Sequence, residues 1–231
     1  PEQAINRNLT FFDATCPLVS KIHREVEFFE KKDYEIILIG HRNHPEVVGT
    51  MGQVYNSDIY LVENIKDAKN LEVKNKNKLA YVTQTTLSID DTAEIIEILK
   101  KRFPKINEPK KDDICYATSN RQEAIKEIAK KCDRVVIIGA HNSSNSLRLV
   151  EVAIKNGCKN SMLIQSNKDF DWSSIKKNEN IGLSASASAP EELVMNFINE
   201  CKKNFFVNLI ESGTVYENVK FNIPSILKRK I

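Results

Sequence analysis

A chain of 231 residues, 41% hydrophobic and 28% charged, can bury one large core or two smaller ones of about 100 residues each. Its 34 basic and 31 acidic residues are interspersed and leave a net charge of +3, which argues for a solvated mixed surface and against a nucleic-acid partner. No run of about 18 apolar residues is present and the polar start Pro1 to Asn8 holds no apolar leader, so neither a membrane span nor a secretory signal is expected.

In chain order, Leu9–Phe12 reads as a strand-like segment that would follow a preceding unit. A helix opens at Cys16-Pro17, with Leu18, Ile22, Val26 and Phe29 on one face. Ile36–Ile39 and Leu79–Val82 are short apolar runs that suit buried parallel strands, and Asp91–Arg102 has a helical pattern. The basic-acidic stretch Lys105–Asp113 reads as a connection. A second helix opens at Cys115, with Ala124, Ile125 and Ile128 sharing a face. Val135–Ile138, Met162–Ile164 and Ile181–Leu183 read as strands, and Ser146–Asn156 and Glu191–Lys203 as helices. Ser188 is placed as the N-cap of the last helix, with Pro190 in its first turn. The alternation predicts an α/β fold with mainly parallel sheets.

An internal repeat organises these elements. Cys16 and Cys115 each open a helix 99 residues apart, and Gly40 and Gly139 each end an apolar strand at the same separation. Thr83 to Thr86, ahead of Asp90-Asp91, corresponds to Ser184 to Ser188, ahead of Glu191-Glu192. Two homologous units are therefore expected at 17–111 and 112–203. Parallel strands bind ligands beyond their carboxyl ends. In both copies that edge carries small polar groups: His41, Asn43, His44, Glu46, Thr85 and Thr86 in the first, and His141 to Asn145, Ser186 and Ser188 in the second.

Asn142 to Ser146 follows a strand and precedes a helix; capping takes one or two such residues, and five in a row admit a phosphate site as well. No Walker or G-x-G-x-x-G motif supports an ordinary nucleotide loop. His44-Pro45-Glu46 is either a surface loop or a place for proton transfer or anion binding. The five cysteines lie far apart without CxxC spacing, which favours a reduced compartment over a disulfide framework. Cys16 and Cys115, at equivalent helix starts, are either small buried apolar residues or paired metal ligands. Cys132, Cys158 and Cys201 have no repeat counterpart and are expected to be structural. Two thiolates are too few for an iron–sulfur cluster, which usually takes four cysteines. A third repeat would supply a third and leave one iron open.

Several stretches resemble the 4-hydroxy-3-methylbut-2-enyl diphosphate reductase family, from about Asn8 to Ser225. They are Asp13 to Val19, Gly40 to Val47, Gly49 to Gln53, Thr83 to Ser88, Arg102 to Pro104, Lys111 to Thr118, Asn142 to Ser146, and Ala187 to Pro190. The resemblance implies a pseudo-threefold trefoil of α/β units around a central [4Fe-4S] cluster. Residues 1–16 would end a first unit and 204–231 would return to it. Cys16 and Cys115 would be cluster ligands, with the third cysteine and two further histidines preceding Pro1. It further implies reductive loss of an allylic hydroxyl from a diphosphate, the last step of the non-mevalonate isoprenoid route. Glu46 would deliver the proton and Thr85 position the hydroxyl, while His44, Thr86, Ser143, Ser144, Asn145 and Ser188 would hold the substrate. Ferredoxin or flavodoxin would donate electrons. Bacterial cytoplasm and plastid stroma both suit the route, and the abundance of Asn and Lys tilts the expectation toward a parasite's apicoplast.

Overall fold

The computed structural model describes residues 2–10, 12–212 and 219–221. A short helix α1 (Glu2–Asn6) precedes two successive units. The first runs α2 (Pro17–Glu30), β1 (Glu35–Ile39), α3 (Pro45–Met51), β2 (Ile59–Val62), α4 (Ile65–Asn70), β3 (Leu79–Thr83) and α5 (Ile89–Arg102). The second runs α6 (Tyr116–Ala129), β4 (Arg134–Ile138), α7 (Ser144–Lys155), β5 (Ser161–Ile164), two 3-10 turns at Asn167–Asp169 and Trp172–Ser174, β6 (Ile181–Ala185) and α8 (Glu191–Asn204).

Each unit builds a three-stranded parallel sheet with its first strand in the centre, in the orders β2-β1-β3 and β5-β4-β6. The registers coincide: Ile36 pairs with Ile59 and Ala80, and Val135, 99 residues on, pairs with Ser161 and Gly182. The outer strands are displaced by 102 residues, so the second copy holds three extra residues between its first two strands.

Both faces of each sheet are covered, which is why the central strands read as unbroken apolar runs. Ile36 and Leu38 pack with Ile22, Val26 and Phe29 of α2, while Ile37 and Ile39 pack with Ile95 and Leu99 of α5. In the second unit Val135 and Ile137 face Ile125, Leu149 and Val152, and Val136 and Ile138 face Phe170 and Phe197. Local chemistry fixes the helix ends. Ser88 caps α5 by accepting the Asp91 N–H, Asp90 and Asp91 fill its first turn, and Lys100, Lys101 and Arg102 fill its last.

The structure corrects the sequence expectation in several places. Leu9, Thr10 and Phe12 belong to no strand, and a helix occupies Glu2–Asn6 ahead of them. The edge strand β2 and the short helices α3 and α4 were not expected; β2 is half-buried for three of its four residues, and α3 contains Gly49, so their signals are weak. Helix α8 begins at Glu191 with Pro190 at its N-cap and no side-chain cap, so Ser188 does not cap it; Ser188 stands exposed in the preceding turn. A return of 204–231 to another unit falls largely outside the described residues, and 205–212 lie in no helix or strand.

Candidate active site

The carboxyl end of β1 turns sharply. His44 N–H donates to His41 O at 3.1 Å, and Asn43 between them takes a left-handed conformation with φ of 65°, which Asn tolerates better than most residues. The turn sets His44 as the N-cap of α3: its Nδ1 accepts the Glu46 N–H at 3.2 Å, so the ring proton belongs on Nε2. Burial, helped by neighbouring His41, holds the His44 pKa below that of an ordinary histidine, leaving a neutral donor.

Glu46, in the first turn of α3, reaches the end of β3. Thr85 N–H donates to Glu46 Oε1 at 2.7 Å, and the Thr85 hydroxyl donates to Oε2 at 2.9 Å. Burial raises the Glu46 pKa above the ordinary carboxyl value, more than the two Thr85 hydrogen bonds lower it. A backbone N–H cannot turn away, so Oε1 is committed as an acceptor. When Glu46 takes up a proton, it therefore goes on Oε2, and the Thr85 hydroxyl turns from donor to acceptor.

Gln84, fully buried beside Thr85, joins the two units. Its Oε1 accepts the His41 N–H at 3.0 Å, and its Nε2 donates to Thr86 Oγ1 at 2.8 Å and lies 3.4 Å from Ser144 Oγ. Thr86 Oγ1 in turn lies 3.2 Å from Ser144 Oγ. Ser143 caps α7 by accepting the Ser146 N–H, which accounts for one member of the polar run. Asn145 is buried, yet neither its Oδ1 nor its Nδ2 has a partner, and the buried Ser146 and Ser186 hydroxyls are also unpartnered. Such groups cost free energy unless a ligand satisfies them. A Cβ on Gly139 would collide with Ser146 Oγ and stand 2.9 Å from Ser186 Oγ, so the glycine makes room for both serines. An open cleft of about 370 Å³ lies against this edge, lined by His44, Asn142, Ser144 and Leu147 among others. A second cavity of about 390 Å³, around Leu87, Ile95, Asp91 and Lys155, shares His41 with this edge but includes none of Glu46, Thr85, Thr86, Ser144 or Asn145.

Of the residues the sequence singled out, His44, Glu46 and Thr85 are joined by hydrogen bonds and Thr86 meets Ser144 beside Gln84, whereas Ser143 bonds only the Ser146 N–H and Asn145 has no partner; sequence reasoning missed Gln84 as a link. The repeat offered a signal for it, since Gln84 stands where the second copy has the shorter Ser186. Ser188 makes none of these contacts and is exposed.

Cys16 and Cys115 are the N-caps of α2 and α6, and neither side chain is used in capping. Cys16 is exposed and Cys115 partly so, whereas Cys158 is buried in a core and Cys132 and Cys201 pack against cores that raise their thiol pKa values. Two uncommitted thiols at helix N-termini suit thiolate ligation. Among the described residues no group of three or more His, Cys, Asp or Glu side chains could hold a metal ion, so Cys16 and Cys115 would need a further ligand from elsewhere to hold a cluster. Cys115 is tied to the acid site directly: its N–H donates to Thr85 O at 2.9 Å. Just ahead of it, Asp113 Oδ2 accepts the Thr83 N–H at 2.8 Å.

A parallel α/β protein of duplicated units, with a buried acid–hydroxyl pair and buried, unpartnered amide and hydroxyl groups along one edge, has the architecture of a small-molecule enzyme. The LytB protein family matches residues 1–202, and the chain belongs to it. It is 49% identical over 228 residues to the 4-hydroxy-3-methylbut-2-enyl diphosphate reductase of Cereibacter sphaeroides, covering 99% of this chain and 72% of that protein. It is 48% identical to the 4-hydroxy-3-methylbut-2-enyl diphosphate reductase 2 of Rhodopseudomonas palustris, with 99% and 71% covered. The solved E-1-hydroxy-2-methyl-but-2-enyl-4-diphosphate reductase of Plasmodium falciparum superposes with a TM-score of 0.90 at 40% identity, over all of this chain and 74% of that one. A second structure, described as the terminal enzyme of the non-mevalonate pathway, gives 0.55 at 29% identity, with 87% and 71% covered.

Proposed function

We propose that this protein reduces 4-hydroxy-3-methylbut-2-enyl diphosphate to isopentenyl and dimethylallyl diphosphates, the final step of the non-mevalonate isoprenoid route. The reaction takes up two electrons and two protons and releases the hydroxyl as water. Cys16 and Cys115 would hold a [4Fe-4S] cluster together with a thiolate from outside this chain's described residues, and when bound the cluster would supply the electrons. Ferredoxin or flavodoxin would deliver them, in a plastid stroma or a bacterial cytoplasm. No helix among the described residues is long and apolar enough to cross a membrane.

The observation that carries the reading is the Glu46–Thr85 pair. A carboxyl with a raised pKa keeps its proton closer to neutrality than an ordinary glutamate does, as a general acid needs. With that proton on Oε2, Glu46 donates to Thr85 Oγ1, and the Thr85 proton is then free to point at the departing hydroxyl. His44 through Nε2–H, Ser143, Ser144, Thr86 and Asn145 would bind the diphosphate, with Ser188 closing on it from the exposed turn. Neutral donors would suffice once the bound substrate excludes water from the cleft, because a hydrogen bond to a charged oxygen strengthens where solvent is excluded.

The test is anaerobic iron and sulfide analysis of the full-length protein, followed by conversion of the hydroxylated diphosphate under a one-electron reductant. Stoichiometric iron and both products are expected. Absence of iron together with retained diphosphate binding would put a cluster-free phosphometabolite binder in its place.

A further inference from the structure

Lys21 stands on α2, five residues after Cys16. Its ammonium donates to Lys111 O at 2.7 Å and to Asp113 Oδ1 at 2.8 Å, and lies 3.3 Å from Glu25 Oε2 as an ion pair. The Asp113 side chain is wholly buried, and its second oxygen takes the Thr83 N–H. One ion pair therefore joins the helix that Cys16 opens, the segment that leads into Cys115, and the strand end from which Thr85 grips Glu46.

The repeated fold does not require this pair. The second unit has Asn120 where the first has Lys21, and Ala14 precedes Cys16 by two residues as Asp113 precedes Cys115. Each unit thus carries one charge of the pair and not the other, and helix α6 seats on its sheet without a lysine at that place. The pair belongs to the junction between the units.

We propose that Lys21 and Asp113 are positioning residues for the reaction: their ion pair fixes the two thiol-bearing helix starts relative to each other and to the Glu46–Thr85 pair. The inference rests on Cys16 and Cys115 being cluster ligands. Without Lys21, Asp113 is a buried charge lacking its counter-ion, and the 111–115 segment must shift to relieve it. A displacement of about 1 Å in a reacting geometry costs about a hundredfold in rate.

The full-length protein carrying Lys21→Met, Asp113→Asn or Lys21→Arg is reconstituted with iron and sulfide, and its iron content, EPR spectrum, kcat and KM are measured. Lys21→Met and Asp113→Asn are expected to lower kcat about tenfold to a hundredfold with KM held within about twofold, and to change the EPR signal. Lys21→Arg, which keeps the charge, is expected to restore the spectrum and most of kcat. An unchanged spectrum and kcat in Lys21→Met and Asp113→Asn overturn the proposal, as does a fall in melting temperature alone. If both variants fail to fold, the pair is structural and the proposal is equally overturned. Iron retained in Cys16→Ser and Cys115→Ser would remove the ligand reading itself. Iron lost there, with wild-type behaviour in Lys21→Met, would remove this inference alone.

Discussion

Where the first unit places Glu46, the second places Asn145, and their surroundings differ as much as the residues do. Glu46 is held at both oxygens by Thr85, whereas the second unit has Ala187 at that position and leaves both polar atoms of Asn145 unpartnered. A similar contrast holds one residue earlier: Gln84 spans the junction to reach Ser144, but Ser186 stops short and its hydroxyl finds nothing. A third sits at the start of the central strands, where buried Glu35 and buried Arg134 are equivalent in place and opposite in charge. One backbone plan thus yields an acid-carrying edge with its polar atoms paired in one copy and an edge with buried, unpartnered polar atoms in the other. Duplication supplies the geometry, and substitution divides the labour.

The largest effect is expected where that division is removed. Glu46→Gln keeps an acceptor for the Thr85 N–H but has no proton to give, so turnover should fall about 10²- to 10⁴-fold, the usual scale of general acid catalysis. Diphosphate binding, proposed to rest on His44, Thr86 and the second unit, should change little; titration with substrate under non-reducing conditions reads this directly. The pH profile carries a matching sign. A raised carboxyl pKa keeps the active protonated form to higher pH, so wild-type turnover should decline as pH rises through it, and Glu46→Gln should lose that limb.

Next comes Arg134→Met. Arg134 Nε donates to Glu179 at 2.8 Å, and both side chains are buried. Removing the cation leaves Glu179 an unpaired buried charge, at a cost of about 3–5 kcal/mol in urea unfolding. Burial pushes the Glu179 pKa up, but the Lys176 N–H and Arg134 outweigh it and hold it below the ordinary value. A depressed carboxyl pKa contributes stability at neutral pH that is lost as pH falls through the folded value. The variant should therefore show a flatter acid limb.

How far these contrasts were legible depends on how local each one is. Ile36–Ile39 and Val135–Ile138 announced themselves because strands covered on both faces need no polar alternation. The polar residues at their carboxyl ends followed from the repeat. Asp113 did not, because it lies in a charge-rich stretch that reads as solvated linker; only Lys21, 92 residues away, together with the Thr83 N–H, makes its burial tolerable. The same stretch adds to the first sheet, with Asn107 bridging Ala80, a contact no local pattern announces. Gln84 was hidden for a similar reason, since its partners belong to His41, Thr86 and Ser144.

Asn145→Leu separates function from stability in the open unit. The amide is already buried without partners, so an apolar replacement should leave the ligand-free protein as stable or more so, by about 1 kcal/mol, in thermal unfolding. Diphosphate affinity should nonetheless fall about tenfold, equivalent to about 1.4 kcal/mol. A variant less stable than wild type but with unchanged affinity would mean that Asn145 serves the core.

The smallest effect belongs to Glu35→Gln, the counterpart of Arg134→Met. Glu35 Oε2 accepts both the Tyr60 hydroxyl and the Lys74 N–H, each at 2.9 Å, and its side chain forms no ion pair among the described residues comparable to the Arg134–Glu179 pairing. A glutamine oxygen can accept from the same two donors, so the change trades charge-assisted bonds for neutral ones and strands no counter-ion. A loss of about 1 kcal/mol is expected, well short of the loss at Arg134. If urea unfolding gave equal losses at the two sites, burial of a charge at the strand start, rather than the partner left behind, would set the cost in both units.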